Sequence, residues 1–289
     1  MLSGQCEITK LFLEAAGARV AVHRSGRGPA IVCLHAIGHS ARDFQDLMRR
    51  LGATYEILAI DWPGHGDSPN DARSASADRY ADILEDLLRI LDLGKVILIG
   101  NSVGGAAAIK VAAKQPEMVR ALVLCDPAGL QPVSLVSRLY CRSMARFFAK
   151  GERGDPSFSR QFRRYYERSV LTEPAAGTRR EEIIASGDQV ATMLRQAWQS
   201  FAEQSADIRA LTPRLRSPVL YAWAGKDKLV AFSRCKNAVA ATPQHQLVMF
   251  EASHTAFLEQ PDKFETALVA FLGKLPAEAN GQVDTAKAR

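Results

Sequence analysis

Cysteine is scarce in this sequence of 289 residues, and the few cysteines follow no regular spacing. The five positions are Cys6, Cys33, Cys125, Cys141 and Cys235. An odd number of scattered cysteines without a C-x-x-C pair argues against a disulfide framework and against a structural zinc site. Cys33 and Cys125 lie in apolar runs, so we predict that they are packing residues.

Long hydrophobic runs are also missing. No apolar stretch reaches the roughly 18 residues that a membrane helix needs, and residues 1–19 hold no basic start followed by an apolar segment. We therefore expect neither a signal peptide nor a membrane span, and a cytoplasmic protein that does not associate with membranes. No internal repeat is visible.

Positive charge is in excess, but one region accounts for it. Residues 131–216 hold 15 Lys or Arg and 9 Asp or Glu, a difference of 6 that equals the net charge of the whole chain. No helix-turn-helix, zinc-finger or RNA-binding aromatic pattern accompanies the charge, so we expect no nucleic-acid partner. Either a solvated helical surface or a site for an anionic ligand would explain it.

Apolar, β-branched runs alternate with helical patterns over much of the chain, whose composition is 47% apolar and 24% charged. The runs that predict buried strands are 30–34, 55–60, 96–99, 122–125, 219–223 and 246–250. The helical patterns include 80–91, 105–114 and 263–272. This alternation predicts an α/β fold with a mostly parallel sheet and helices on both faces. Residues 7–24 predict an additional antiparallel hairpin that turns near Ala16 and Gly17.

The alternation stops between residues 131 and 216. The segments 134–148 and 189–201 carry helical apolar spacing with no strand between them. We predict a helical cap, 131–216, inserted into a core made of residues 1–130 and 217–275. The last residues, 276–289, lack an apolar period and are predicted to be disordered.

A short motif follows the third predicted strand. Residues 100–104 read GNSVG and fit G-x-S-x-G, in which the glycines allow a sharp turn that lifts the serine hydroxyl clear of the backbone. Ser102 is therefore either a nucleophile or a small residue at the point where a strand meets a helix.

Polar residues at the ends of other predicted strands bear on this choice. Ligands of open α/β sheets bind beyond the carboxyl ends of the strands, and Asp126, Asp227 and His254 all follow predicted strands. A serine hydroxyl is a weak nucleophile that needs a base, and the base needs a carboxylate to orient it. His254 is the predicted base, and by position either Asp227 or Asp126 could be the acid.

The motifs together resemble the α/β-hydrolase superfamily, in its cap-bearing group of serine esterases and carbon-carbon bond hydrolases, over residues 8–274. The order Ser102, Asp227, His254 matches the family's nucleophile, acid and base. Residues 61–68 match its D-x-P-G-x-G-x-S loop, and His254 followed by residues 259–261 matches its histidine segment. The resemblance implies an α/β-hydrolase fold and a catalytic triad.

The resemblance also implies an oxyanion hole, which needs two backbone N–H groups. One is predicted at Val103, directly after the nucleophile, and the other at Ile37 in the family's H-G-x-x loop. Ala36 stands where the family usually has glycine, which is compatible with the loop if its φ angle stays negative. The G-x-x-D acid loop of the family favours Asp227 over Asp126, which reads equally well as a residue of the turn that enters the cap.

The other histidines receive different predictions. His35 is expected to brace its loop and His39 to face the substrate. The remaining three, His23, His65 and His245, are predicted to be structural. No pair has metal-ligand spacing with a nearby Cys or Asp, so we expect no metal and no cofactor.

We predict an enzyme that cleaves a small-molecule carboxylic ester through an acyl-enzyme. A carbon-carbon hydrolase of the meta-cleavage-product type is the alternative, although Thr255 stands where that group tends to have tryptophan, and a ligand-binding receptor on the same fold is a third reading. If the substrate carries a carboxylate, Arg163 or Arg164 could point inward to bind it; otherwise both lie on a solvated face. The sequence leaves open whether the protein forms a homodimer.

Overall fold

One eight-stranded sheet organises the computed structural model, which describes residues 7–276. The strands are β1 (Thr9–Ala15), β2 (Ala18–Ser25), β3 (Ala30–Leu34), β4 (Glu56–Ile60), β5 (Val96–Asn101), β6 (Val119–Cys125), β7 (Val219–Ala224) and β8 (His245–Phe250). Their order across the sheet is β1-β2-β4-β3-β5-β6-β7-β8. β1 and β2 form the predicted antiparallel hairpin, β2 runs antiparallel to β4, and the other neighbours are parallel. The α/β fold class is confirmed.

Helices cover both faces of the sheet. They are α1 (Gln45–Leu51), α2 (Ala77–Leu91), α3 (Val103–Lys114), α4 (Leu135–Glu152), α5 (Phe158–Tyr165), α6 (Gly177–Ala185), α7 (Gly187–Ser200), α8 (Phe232–Ala240), α9 (Ala256–Glu259) and α10 (Pro261–Leu272). Successive strand residues face opposite sides, so in β3 Val32 belongs to one apolar core and Cys33 to the other. Helices α2, α3 and α8 pack on the first core, and α1 and α10 on the second.

The last strand departs from the prediction of a buried strand. β8 lies at the edge of the sheet, and most of its residues are exposed or half-buried. Leu247 and Met249 are 37% and 48% exposed. An edge strand has one neighbour only, and an apolar run by itself does not distinguish it from a central strand.

Between β6 and β7 the described chain forms helices α4 to α7 with short turns and no strand. Their interior is aromatic: Phe148, Phe158 and Phe162 are fully buried, and the Phe148 ring lies 6.4 Å from that of Trp198. This interior is continuous with the core on one face of the sheet. The helical segment 131–216 therefore lies against the edge at which the parallel strands end.

The predicted tail lies outside the described residues except for Pro276, whose carbonyl accepts a hydrogen bond from Arg120. Among residues 7–276 there is no helix of sufficient length and apolar character to cross a membrane.

Candidate active site

Ser102 sits in a strained turn between β5 and α3. Its φ of 52° and ψ of −116° lie in a region that residues with a side chain rarely adopt. Three backbone hydrogen bonds hold the turn: the Ser102 N–H donates to the Cys125 carbonyl, and the Ser102 carbonyl accepts from Ala106 and Ala128. The strain is thus imposed by the ends of two neighbouring strands and the first turn of α3.

Two glycines of the motif are required by close packing. A Cβ atom at Gly104 would lie 2.4 Å from the carbonyl oxygen of Leu34. A Cβ atom at Gly100 would lie 2.7 Å from the carbonyl oxygen of Gly104. Real Cβ atoms do not approach backbone so closely, so both positions exclude any side chain and allow β5, α3 and the end of β3 to meet under the serine.

The predicted base and acid meet in one hydrogen bond. His254 Nδ1 lies 2.7 Å from Asp227 Oδ2, and both side chains are buried. The other oxygen of Asp227 accepts the N–H groups of Leu229 and Val230, at 2.6 and 2.9 Å, which fixes the carboxylate. Burial lowers the pKa of His254, but the Asp227 carboxylate and its hydrogen bond outweigh burial and raise that pKa above its ordinary value.

Asp126, the alternative acid, occupies a different environment at the end of β6. It is fully buried, has a φ of 45°, and its Oδ1 accepts the N–H of Ala224 at 2.9 Å. Its Oδ2 receives no N–H or O–H donor within the described chain, and Asp227 is its neighbouring acid. Burial, and then the Asp227 charge, raise the pKa of Asp126 well above its ordinary value. A protonated Asp126 can donate to Asp227, which explains an oxygen that no other donor reaches.

Two residues that sequence reasoning did not assign hold the histidine loop. Glu259 Oε2 accepts the N–H groups of Ser253, His254 and Thr255, at 2.7, 3.2 and 3.3 Å. Asn101, next to the nucleophile, donates from Nδ2 to the His254 carbonyl at 3.1 Å. The segment at residues 259–261 was noted as a motif, but only the folded chain shows that its glutamate binds the backbone around His254.

The predicted oxyanion donors belong to two different elements. Val103 is the first residue of α3, and Ile37 lies in the loop after β3. Within residues 7–276 neither N–H donates to a protein acceptor. Ala36 does not have a positive φ, which is the condition for an alanine at this position of the loop. Ile37 borders the cavity described below.

Two buried histidines connect the loops beneath these donors. His35 Nε2 accepts the N–H of Trp62, and its Nδ1 lies 2.6 Å from the Ala36 carbonyl. His65 Nε2 accepts the N–H of Gly38. Burial lowers their pKa values, to about 4 for His35 and about 3 for His65. Both imidazoles are neutral braces, which agrees with their predicted structural roles.

A cavity of about 300 Å³ is lined by both Ser102 and His254. His39, Ala36 and Ile37 also border it, and the helical segment contributes an aromatic wall. The aromatic residues of that wall are Tyr140, Tyr165, Tyr166, Trp198 and Phe201. The cavity is thus shared between the sheet edge and the helical segment.

Neither of the two arginines considered for an anionic substrate lines this cavity. Helix α5 buries Phe158 and Phe162, and Arg163 and Arg164 project from its exposed side. Arg163 pairs with Glu181 at 2.8 Å. Both residues are thus exposed in this structure, as on a solvated face. Two cations that sequence reasoning did not single out, Lys228 and Arg234, do border the cavity.

His23, Asp61 and Asp67 bring potential metal-ligand atoms within 4.8 Å of one another. Asp61 Oδ1 accepts the Ala41 N–H, and its Oδ2 accepts the Asp67 N–H and lies 3.0 Å from His23 Nε2. Hydrogen bonds within the loop at residues 61–68, and from this loop to Ala41 and His23, already account for this arrangement. The geometry supports an architectural role for that loop.

A strained serine after a parallel strand lines one cavity with a buried histidine, and an aspartate contacts that histidine at a strand end of the same sheet. The chain matches the model of the alpha/beta hydrolase family over residues 31–267 and belongs to that family.

Individual proteins resemble this chain over nearly its whole length. An uncharacterized protein of Mycobacterium bovis is 28% identical over 298 residues, covering 93% of this chain and 83% of that protein. A 2-hydroxy-6-oxononadienedioate/2-hydroxy-6-oxononatrienedioate hydrolase of Burkholderia vietnamiensis is 25% identical, covering 89% and 92% of the two chains. The structure of a thermophilic esterase from Thermogutta terrifontis superposes with a TM-score of 0.78 at 22% identity, covering 93% of this chain and all of that one.

Proposed function

We propose that this protein is a serine hydrolase that cleaves a small-molecule carboxylic ester through an acyl-enzyme. In this proposal Ser102 is the nucleophile, His254 the general base and Asp227 the residue that orients the base. The observation that carries it is the 2.7 Å contact between His254 and Asp227 beside a strained serine that borders the same cavity.

The geometry suggests the course of proton transfer. Because Asp227 holds the Nδ1 side of His254, the Nε2 atom is left to take the proton of Ser102 as its oxygen bonds to the ester carbonyl carbon. His254 then returns that proton to the leaving alcohol as the carbon-oxygen bond breaks. Water repeats the sequence on the acyl-enzyme, releases the acid and restores the serine. The N–H groups of Val103 and Ile37 would stabilise the oxyanion in both steps.

The helical segment 131–216 would act as a cap that encloses the acyl or alcohol part of the substrate. This proposal is supported by Tyr140, Tyr165, Tyr166 and Trp198, which come from this segment and border the cavity. A largely aromatic wall favours an apolar substrate group over a highly charged one.

Turnover of 4-nitrophenyl esters of increasing acyl length tests the proposal directly. The wild-type protein should hydrolyse at least one of them, and Ser102→Ala should reduce the rate to background. Ser233→Ala, on the exposed side of α8, is the matched control and should keep full activity. A fluorophosphonate probe should label Ser102, as mass spectrometry can establish. Activity that survives Ser102→Ala would overturn the assignment.

Carbon-carbon bond hydrolysis is the second candidate, favoured by the relative from Burkholderia vietnamiensis. A dioate of the kind in that protein's name would need a cation in the cavity, and Lys228 and Arg234 border it. Release of a carboxylic acid from 2-hydroxy-6-oxononadienedioate, faster than from any ester tested, would favour this candidate over the esterase.

A further inference from the structure

A second pair of buried histidine and carboxylate borders the cavity that holds Ser102 and His254. His39 Nδ1 lies 2.6 Å from Asp43 Oδ2, and both side chains are almost completely buried. His39 belongs to the loop after β3, where its N–H donates to the Ala36 carbonyl. The ring is therefore held two residues beyond Ile37, the proposed oxyanion donor.

Asp43 is itself anchored from the helical segment. Arg179 of α6 donates from Nε to Asp43 Oδ1 at 2.6 Å and from Nη2 to Ser40 Oγ at 2.9 Å. Burial raises the pKa of Asp43, but His39 and Arg179 outweigh burial and hold that pKa well below its ordinary value. Asp43 is thus a carboxylate and can only accept hydrogen bonds, so the shared proton resides on His39 Nδ1.

This arrangement leaves one atom of His39 without a partner. Asp43 holds the Nδ1 side of the ring, and within residues 7–276 the Nε2 atom on the opposite side has no hydrogen-bond partner. Buried polar atoms in proteins are normally paired, since an unpaired one is destabilising. In the other pair, His254 lines the cavity with Ser102, whereas no hydroxyl or thiol of the described residues 7–276 hydrogen-bonds to His39 Nε2.

The unpartnered atom is one of several in the walls of the same cavity. Gln131 Oε1 and Trp198 Nε1 are also buried without a hydrogen-bond partner, and both residues border the cavity together with His39. Orphaned polar atoms gathered around an otherwise aromatic cavity indicate that a ligand with hydrogen-bonding groups completes them.

We propose that His39 is a specificity-determining residue whose Nε2 forms a hydrogen bond with a hydroxyl group of the substrate, within a few bonds of the scissile carbonyl. The position of His39 next to the proposed oxyanion loop sets the distance from the carbonyl, and the Asp43–Arg179 pair fixes the orientation of the imidazole. The inference rests on the proposed ester hydrolysis and assigns it a class of substrate, the hydroxylated esters.

Two matched pairs of esters test this and tell the two sides of the ester apart. The first pair is 4-nitrophenyl butanoate and its 3-hydroxybutanoate, and the second is ethyl butanoate and 2-hydroxyethyl butanoate. For each pair the quantity measured is the ratio of kcat/KM for the hydroxylated ester to that for the plain ester. Comparing this ratio between protein variants cancels the intrinsic reactivity of the esters.

Three substitutions probe the hydrogen bond. His39→Phe keeps a ring against Tyr166 but removes the ring nitrogen, and should lower the ratio about tenfold in one of the pairs, the effect of one hydrogen bond. His39→Gln can still form a hydrogen bond through its amide and should retain part of the preference. Asp43→Asn should lower the ratio by a smaller factor, because a neutral amide holds the imidazole and Arg179 in place less firmly than the carboxylate does.

Asp46→Asn is the matched control, since Asp46 lies three residues from Asp43 but pairs with the exposed Arg50. Its ratio should equal that of the wild type. Labelling of Ser102 by the fluorophosphonate confirms that each variant is folded. Equal losses on both members of each pair in His39→Phe, or a wild-type ratio no higher than that of His39→Phe, would overturn the role of His39 while leaving ester hydrolysis intact. If no ester is hydrolysed and Ser102 is not labelled, the proposed function fails and this inference fails with it.

Discussion

The ends of β6 and β7 lie side by side in the sheet, and each carries a buried aspartate. Asp227, after β7, accepts two backbone N–H groups and the imidazole of His254. Asp126, after β6, accepts one backbone N–H and otherwise meets Asp227. Burial acts on both carboxyl groups, but Asp227 has several donors whereas Asp126 has one, and burial then raises the pKa of Asp126 well above its ordinary value. Neighbouring strand ends in this fold thus place two acids in different environments within a single site.

The largest effect that would test this comparison is expected for Asp227→Asn. The amide cannot hold the proton of His254 Nδ1 as the carboxylate does, so the imidazole takes the wrong tautomer. Serine triads lose up to about 10⁴ in kcat from this change. Kinetics with the best 4-nitrophenyl ester, and circular dichroism to establish folding, would measure it. A folded Asp227→Asn variant with nearly normal activity, beside an inactive Asp126→Asn, would transfer the acid's role to Asp126.

A smaller but clear loss is expected for Glu259→Gln. Glu259 binds the N–H groups of Ser253, His254 and Thr255 with one oxygen, and those of Thr172 and Glu173 with the other. An amide of the same size cannot accept from both sets, so the loop that positions His254 loosens. We expect kcat to fall by about tenfold to a hundredfold, as for misplaced catalytic groups.

The exposed Glu265, which pairs with Arg50, supplies the control for that substitution. Glu265→Gln should leave kcat unchanged. If Glu259→Gln is as active as Glu265→Gln, the backbone of the histidine loop does not depend on this carboxylate.

The pH dependence distinguishes the two aspartates by charge. The base must be neutral, and because the pKa of His254 is raised above 6.5, kcat/KM should rise with pH and reach half its maximum above that value. Asp227→Asn removes the charge that raises the pKa, so its remaining activity should reach half-maximum at a lower pH. Asp126→Asn removes no charge if Asp126 is protonated, and the midpoint should then stay in place. A flat profile from about pH 5 to 8 would contradict His254 as the base.

The smallest effect concerns stability. Because the pKa of Asp126 is raised on folding, the native state keeps a proton that the unfolded chain releases above about pH 4, so Asp126 lowers stability progressively as the pH rises. Asp126→Asn abolishes this cost while still accepting from Ala224 and donating to Asp227. Its Tm should exceed that of the wild type by a few degrees at pH 8, where about 1 kcal/mol shifts Tm by about 2–4 °C. The difference should vanish near pH 4, and a difference in Tm that does not change between pH 4 and pH 8 would mean that the pKa of Asp126 is not raised on folding.

Local sequence patterns predicted most of the fold and the positions of the proposed triad residues. The apolar runs that became β3 to β7 are buried on both faces, so near-continuous hydrophobicity predicted them well. The sequence also predicted the turn with glycines 100 and 104 and the grouping of the polar residues that follow the strands. That grouping was predictable because parallel strands bring their carboxyl ends to one edge of the sheet. The exposure of β8 could not be predicted from the sequence, since the position of a strand within a sheet is a tertiary property.

By itself the sequence determined the α/β fold, the elbow at Ser102 and the candidates for base and acid, because these depend on periodicity and on residues close in the chain. The family resemblance favoured Asp227 over Asp126, but only the tertiary structure shows the contact of Asp227 with His254, since it joins residues 27 positions apart. It also placed Arg163 on the surface, brought Glu259 to the histidine loop and linked Arg179 to Asp43 across 136 positions. Charge state and hydrogen-bond partners follow from distance and burial, which no local pattern contains.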